Sequence, residues 1–197
     1  MKNGATDVSR TDRFFTIPNL LSLLRLVLVV PFVLVLIAHE PWSKPWAIAI
    51  VLVAALTDKL DGDLARKYGQ ESEWGRILDP LADKLGIAAA AIVFLVLDLL
   101  PAWFVAALVG RDLLIGAGGL YLKARTGRVL PSNMAGKWAV GVFILTILVI
   151  LLEAPPVVVS VMIGASIVML LVSLFMYIRR FIEAAFKAAG EGPIGSA

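Results

Sequence analysis

The stretch Asp58-Lys59-Leu60-Asp61-Gly62-Asp63-Leu64-Ala65-Arg66, followed by Gly75, Asp79 and Asp83, decides how this chain is read. Asp58 and Asp61 are three residues apart and Asp79 and Asp83 four apart, so on helices each pair shares one face. The turn between the two helices centres near Gly69 and Gln70. Asp61 and Asp79 then stand about nine residues from the turn, and Asp58 and Asp83 about twelve or thirteen. In an antiparallel hairpin rising ~1.5 Å per residue, the two pairs meet face to face at matching depth, ~10–18 Å from the turn. One aspartate at the centre of a membrane span costs ~2.5–3.5 kcal/mol, and four together cost on the order of 10 kcal/mol. Converging carboxylates need cations, and hard oxygen ligands select Mg²⁺ or Mn²⁺. The competing reading makes the aspartates buried partners of Lys59 and Lys84, but those lysines point away from the aspartate faces.

The sequence around this stretch is that of a membrane protein. Sixty per cent of its 197 residues are hydrophobic and the mean hydropathy is +0.91, whereas soluble domains are about half apolar. A span needs about 20 apolar residues, and the pattern predicts six, near 18–38, 45–66, 72–97, 102–123, 135–154 and 156–179. Proline and glycine punctuate their ends at Pro41, Pro45, Gly69, Pro101, Gly127, Pro131, Pro155 and Pro156. The first run is too long for a signal-peptide core and has no small-residue cleavage site behind it, so it reads as a retained span. The fold expected is all-α and polytopic, with residues 1–17 as an N-terminal segment, 18–187 as one six-helix domain and 188–197 as a flexible tail. Arg10, Arg13, Phe14, Phe15 and Ile17 suit either a short interfacial helix or a disordered basic tail.

Composition excludes several chemistries. There is no cysteine and the single histidine is His39, so disulfides, thiolate centres and histidine clusters are ruled out. The net charge of +3 suits basic residues facing anionic headgroups rather than nucleic acid. Those charges are lopsided. Lys2, Arg10, Arg13, Arg66, Lys67, Arg76, Lys123, Arg125, Arg128, Lys137, Arg179, Arg180 and Lys187 fall on one side, against Lys44 alone on the other. That asymmetry predicts both termini, and the aspartates' half of the bilayer, on the cytoplasmic side of a cell (inner) membrane.

The stretch opened above resembles the signature of the CDP-alcohol phosphotransferases, D-x2-D-G-x2-A-R-x8-G-x3-D-x3-D, and every specified position matches without a gap. The six-span layout is similar as well. The resemblance implies transfer of a phosphatidyl or similar group from a CDP-linked donor to a small alcohol, assisted by two Mg²⁺ or Mn²⁺ ions. It implies Asp58, Asp61, Asp79 and Asp83 as metal ligands, with Asp83 also the base that takes the acceptor hydroxyl proton. Asp61, Gly62, Ala65, Arg66 and Gly75 then contact the CDP donor. The small residues let cytidine approach the backbone and Arg66 supplies a planar charged fork. Ser72 falls where relatives often place a hydroxyl near cytidine. Homodimerisation is implied too.

Ile17-Pro18-Asn19-Leu20-Leu21-Ser22-Leu23-Leu24-Arg25 resembles the opening of the phosphatidylglycerolphosphate synthase branch. Asn19 reads as a helix cap or a donor contact, and Arg25, inside an apolar run, as a contact to donor phosphate. Arg111 and Lys137 resemble positions that bind the phosphate of a phosphorylated acceptor, and Arg125 and Arg128 join them or face lipid. An Arg111–Asp112 pair is the plainer alternative, although neighbouring helical residues do not face each other. These features favour CDP-diacylglycerol and glycerol 3-phosphate as substrates. Lys59-Leu60 departs from the aromatic pair many glycerolphosphate enzymes carry there, so inositol phosphate and phosphatidylglycerol, the latter for a cardiolipin synthase, stay open. An ion-coupled transporter would also place carboxylates mid-membrane, but repeated halves with broken helices are missing. A non-catalytic scaffold leaves the aspartates unexplained.

Overall fold

A computed structural model describes the backbone of residues 17–68, 75–126 and 134–190, and within them the side chains of 19–58, 81–124, 134–184 and 186. The expected N-terminal segment before Ile17, Ser72, Arg128 and the last seven residues lie outside the described residues. So do the side chains of Asp61, Gly62, Ala65, Arg66, Gly75, Asp79 and Arg125. Six α-helices are described. They are α1 (Ile17–Ile37), α2 (Ser43–Tyr68), α3 (Gly75–Val96), α4 (Ala102–Thr126), α5 (Met134–Leu151) and α6 (Pro156–Gly190). They follow the apolar runs to within about three residues, except at the end of α6. Helix α5 stops at Leu151 instead of Ala154, and α6 continues eleven residues beyond the expected end at Arg179. Arg179 does not stop α6 because Nε of its side chain pairs with Glu183 Oε1 one turn on, at 3.0 Å.

Three helices end in the left-handed region on residues other than glycine. His39 (φ 54°), Asp98 (φ 55°) and Glu153 (φ 55°) follow α1, α3 and α5. After α5 the Ala154 amide reaches back to the Val149 carbonyl at 3.2 Å and the Glu153 amide to Ile150 at 3.0 Å, the crossed bonds that close a helix terminus. A proline follows each of these residues within three positions, so the chain cannot resume the same helix. His39 is exposed, and its Nδ1 lies 2.7 Å from the Ile37 carbonyl, as suits a loop residue closing a helix.

Among the described residues four stretches are long and apolar enough to cross a bilayer: Asn19–Ile37, Ala102–Ala124, Met134–Leu151 and Pro156–Ala184. Six were expected. In α2 and α3 the described side chains, 43–58 and 81–96, number sixteen each, shorter than a span, so neither helix enters that set. Large apolar side chains such as Val30, Leu113, Leu120, Val157 and Phe175 stand exposed, which hydrocarbon tolerates and water does not. The chain is a membrane protein.

The helices form two compact units, residues 1–97 and 98–197. In the first, α1 packs against both α2 and α3. Phe32 of α1 stacks on Phe94 of α3, ring centroids 6.5 Å apart, and Ala47, Ala90 and Ala91 let backbones approach. In the second, α6 packs against α5 and α4. Thr146 and Ser166, both fully buried, join α5 to α6 through an Oγ1–Oγ bond of 2.8 Å, and Thr146 also donates to the Val142 carbonyl at 2.9 Å. In a medium without water such hydroxyls must find partners within the protein. Gly118 of α4 lies so close to the Tyr177 ring of α6 that an added Cβ would meet the phenol oxygen at 2.8 Å.

Candidate active site

Helix α1 is apolar almost throughout, yet Asn19, Ser22 and Arg25 are all buried. Steps of three residues drift only about 60° around a helix, so the three form one polar stripe. Phe32 and Leu36 are buried further along. The buried side of α1 is therefore polar toward its start and apolar toward its end. Asn19 does not cap the helix, because α1 already begins at Ile17. It is a buried member of the stripe.

Arg25 is the centre of the site. Its side chain is only 7% exposed, and its Nη1 lies 2.9 Å from Asp58 Oδ1 on α2 and also bonds Asp83 Oδ1 on α3. The aspartates are more open, at 58% and 45%. The sequence pattern led to the expectation that α2 and α3 would bring their carboxylates face to face. Among the described residues both helices pack on α1, and Asp58 and Asp83 converge on its guanidinium. Among the described residues the cation that partners them is Arg25, and Lys84 is exposed; the Lys59 side chain lies outside the described residues. Asp61 follows Asp58 by one helical turn and Asp79 precedes Asp83 by one, so helix register keeps all four aspartates at neighbouring levels.

One guanidinium cannot neutralise two carboxylates, so the cluster is anionic before Asp61 and Asp79 are counted. Its donors are hard oxygens, half-open at Asp58 and Asp83. These properties fit Mg²⁺ or Mn²⁺, which are held by a few carboxylates plus substrate phosphate oxygens and water. Among the described residues no group of three potential metal ligands forms, since two of the four aspartate side chains lie outside them.

The remaining candidates belong to the second unit. Arg111 is 13% exposed on its side chain; Nη1 pairs with Asp112 Oδ1 and Nη2 donates to Ser173 Oγ on α6. The pairing of sequence neighbours, judged geometrically poor above, does occur. An arginine stem is long enough to turn its head back to the next residue, which a rule about facing Cβ atoms does not capture. Arg111 also borders an apolar cavity of ≈ 270 Å³ between α4 and α6, lined in part by Ala107, Gly110, Leu114, Leu170 and Leu174. Lys137 lies exposed in the first turn of α5.

Reading the sequence passed over Ser22, Asp112 and Ser173 as site residues. Ser22 was detectable, because it completes a three-residue polar spacing with Asn19 and Arg25 in an apolar span. Asp112 is the plain sequence neighbour of Arg111. For Ser173, sixty-two residues from its arginine, no sequence signal exists.

The sequence profile of the CDP-alcohol phosphatidyltransferase family matches residues 15–180. A CDP-diacylglycerol–glycerol-3-phosphate 3-phosphatidyltransferase of Bacillus subtilis is 36% identical over 140 residues, covering 64% of this chain and 72% of that protein. A Mycobacterium tuberculosis protein provisionally named a cardiolipin synthase is 34% identical over 172 residues, covering 87% and 81%. A CDP-diacylglycerol–glycerol-3-phosphate 3-phosphatidyltransferase of Pseudomonas fluorescens is 37% identical over 126 residues, covering 62% and 64%.

Proposed function

Because the chain belongs to the CDP-alcohol phosphatidyltransferase family, we propose that it transfers a phosphatidyl group from CDP-diacylglycerol to glycerol 3-phosphate and releases CMP. The observation that carries this reading is the ungapped aspartate signature in a chain whose relatives of that named activity include the Bacillus subtilis enzyme. Asp58, Asp61, Asp79 and Asp83 hold two divalent ions, which neutralise the donor pyrophosphate when bound. Asp83 takes the proton of the acceptor hydroxyl. The hydroxyl oxygen forms a bond to the phosphorus that carries diacylglycerol, and the bond from that phosphorus to CMP breaks. Gly62, Ala65, Arg66, Ser72, Gly75 and Asn19 receive the nucleotide end of the donor. Arg111 and Lys137, with Arg125 and Arg128, receive the acceptor phosphate. The basic-residue asymmetry supports six spans within residues 18–187, with both termini and the site on the cytoplasmic side. Family resemblance supports a homodimer.

The test is CMP release from CDP-diacylglycerol by purified protein with Mg²⁺, offering each acceptor in turn. Glycerol 3-phosphate should give the fastest release. Faster release with phosphatidylglycerol would move the assignment to cardiolipin synthesis. Two observations favour that second reading: the Mycobacterium tuberculosis relative that matches 87% of this chain, and Lys59-Leu60 at the position noted above.

A further inference from the structure

The sequence pattern assigns Arg25 to donor phosphate, but the structure gives it a different partner. A guanidinium buried in an apolar helix is costly unless it is paired. Here its Nη1 is shared by one carboxylate from α2 and one from α3, and both helices pack on α1. Arg25 therefore takes the place of a cation toward Asp58 and Asp83, drawing α2 and α3 onto α1. A divalent ion that binds these carboxylates shares them with a guanidinium already bonded to Oδ1 of each. Two cations on the same carboxylates also repel each other.

We propose that Arg25 is the internal counter-cation of the aspartate cluster, a positioning residue that competes with divalent metal for Asp58 and Asp83. Without metal it restrains carboxylates that would otherwise repel one another across α2 and α3. Metal entry sets a second cation beside it and weakens its hold on them. Metal affinity is accordingly weaker than the carboxylates alone would give, and the fold depends less on metal than four clustered aspartates imply. This rests on the metal reading above.

The experiment uses the full chain in detergent, with Mn²⁺ as the probe, followed by electron paramagnetic resonance and by thermal unfolding in EDTA and in Mn²⁺. Arg25→Gln removes the charge and keeps a polar side chain. It should bind Mn²⁺ roughly tenfold to a hundredfold more tightly, the range to which a lost charge-assisted contact converts. Its unfolding midpoint should fall in EDTA and recover in Mn²⁺, so that the metal-induced shift exceeds that of the wild type. Arg25→Lys, which keeps the charge, should stay near wild-type affinity. A purely structural arginine would lower the midpoint equally with and without Mn²⁺ and leave affinity unchanged. That result, or weaker Mn²⁺ binding by Arg25→Gln while the wild type binds, overturns the inference and leaves the metal reading standing. No Mn²⁺ binding by the wild type removes the metal reading and the inference with it. If Arg25→Gln folds only when prepared in Mn²⁺, competition is supported; failure to fold in Mn²⁺ as well counts against it.

Discussion

Removing Asp112 should cost this protein far more than removing an exposed acid. Its partner Arg111 is 13% exposed, Asp112 is 27% exposed, and the second contact of the guanidinium is the buried Ser173 hydroxyl. In Asp112→Ala the arginine keeps only that neutral partner. Stranding one member of a buried pair costs about 3–5 kcal/mol. At about 2–4 °C per kcal/mol for a chain of this size, the unfolding midpoint should drop by roughly 6–20 °C. The same argument predicts a rescue. Replacing both residues, in Arg111→Leu/Asp112→Leu, removes charge and counter-charge together, and well-packed apolar substitutes for buried pairs are often neutral or stabilising. The lining beside Arg111, with Leu114, Leu170 and Leu174, gives an apolar replacement apolar neighbours. The double variant should therefore lie within about 1 kcal/mol of the wild type, a large non-additivity. The assay is a denaturant or thermal titration of the four proteins in one detergent. Equal, additive losses, or a loss below about 1 kcal/mol for Asp112→Ala, would refute the reasoning. The double variant also separates fold from function. With the fold restored and the charge gone, the acceptor KM should still rise roughly tenfold to a hundredfold if Arg111 holds acceptor phosphate.

Three further outcomes are expected. Asp79→Asn should nearly abolish CMP release while the protein still inserts and folds, and EDTA should stop the wild-type reaction until Mg²⁺ or Mn²⁺ is returned. A cysteine at Gln70 should react with an impermeant thiol reagent only from the cytoplasmic face, and one at the exposed Glu40 only from the other; the reverse labelling would overturn the orientation. Glu153→Gly should stabilise the fold by roughly 1 kcal/mol, raising the unfolding midpoint by about 2–4 °C, because glycine relieves the cost of a left-handed backbone at φ 55°; a lower midpoint would show that the glutamate side chain outweighs that strain.

Helix positions were legible because lipid imposes a strong rule: long apolar runs, closed by proline and by residues that can leave the helix. The aspartates were legible for the complementary reason, that charge is too expensive in such runs to be incidental. Neighbour relations were less legible. Depth matching put Asp58 and Asp83 at one level, which fits their common contact with Arg25, but it could not show that α1 supplies the cation between them. Spacing along one helix fixes a face; which helix covers that face depends on packing distant in sequence. The Arg111–Asp112 pair failed for a different reason. Rules of helical facing describe Cβ directions, whereas an arginine head reaches well beyond its Cβ.

The division of the chain gives these assignments a further consequence. The proposed metal and donor residues, from Asn19 to Asp83, all belong to the unit spanning residues 1–97, and the acceptor-phosphate candidates, from Arg111 to Lys137, to the unit spanning 98–197. Each set is tied down by partners within its own unit: Arg25 by Asp58 and Asp83, Arg111 by Asp112 and Ser173. Changes in one set should therefore leave these pairings of the other set intact. A change at Arg25 or Asp58 should act on metal and donor, and a change at Arg111 or Ser173 on the acceptor. Acceptor preference can then shift through substitutions in the second unit while the aspartate signature stays fixed. On the proposed assignment the shared chemistry and the choice of acceptor rest on different helices, which is consistent with relatives named for glycerol 3-phosphate transfer and for cardiolipin synthesis both resembling this chain.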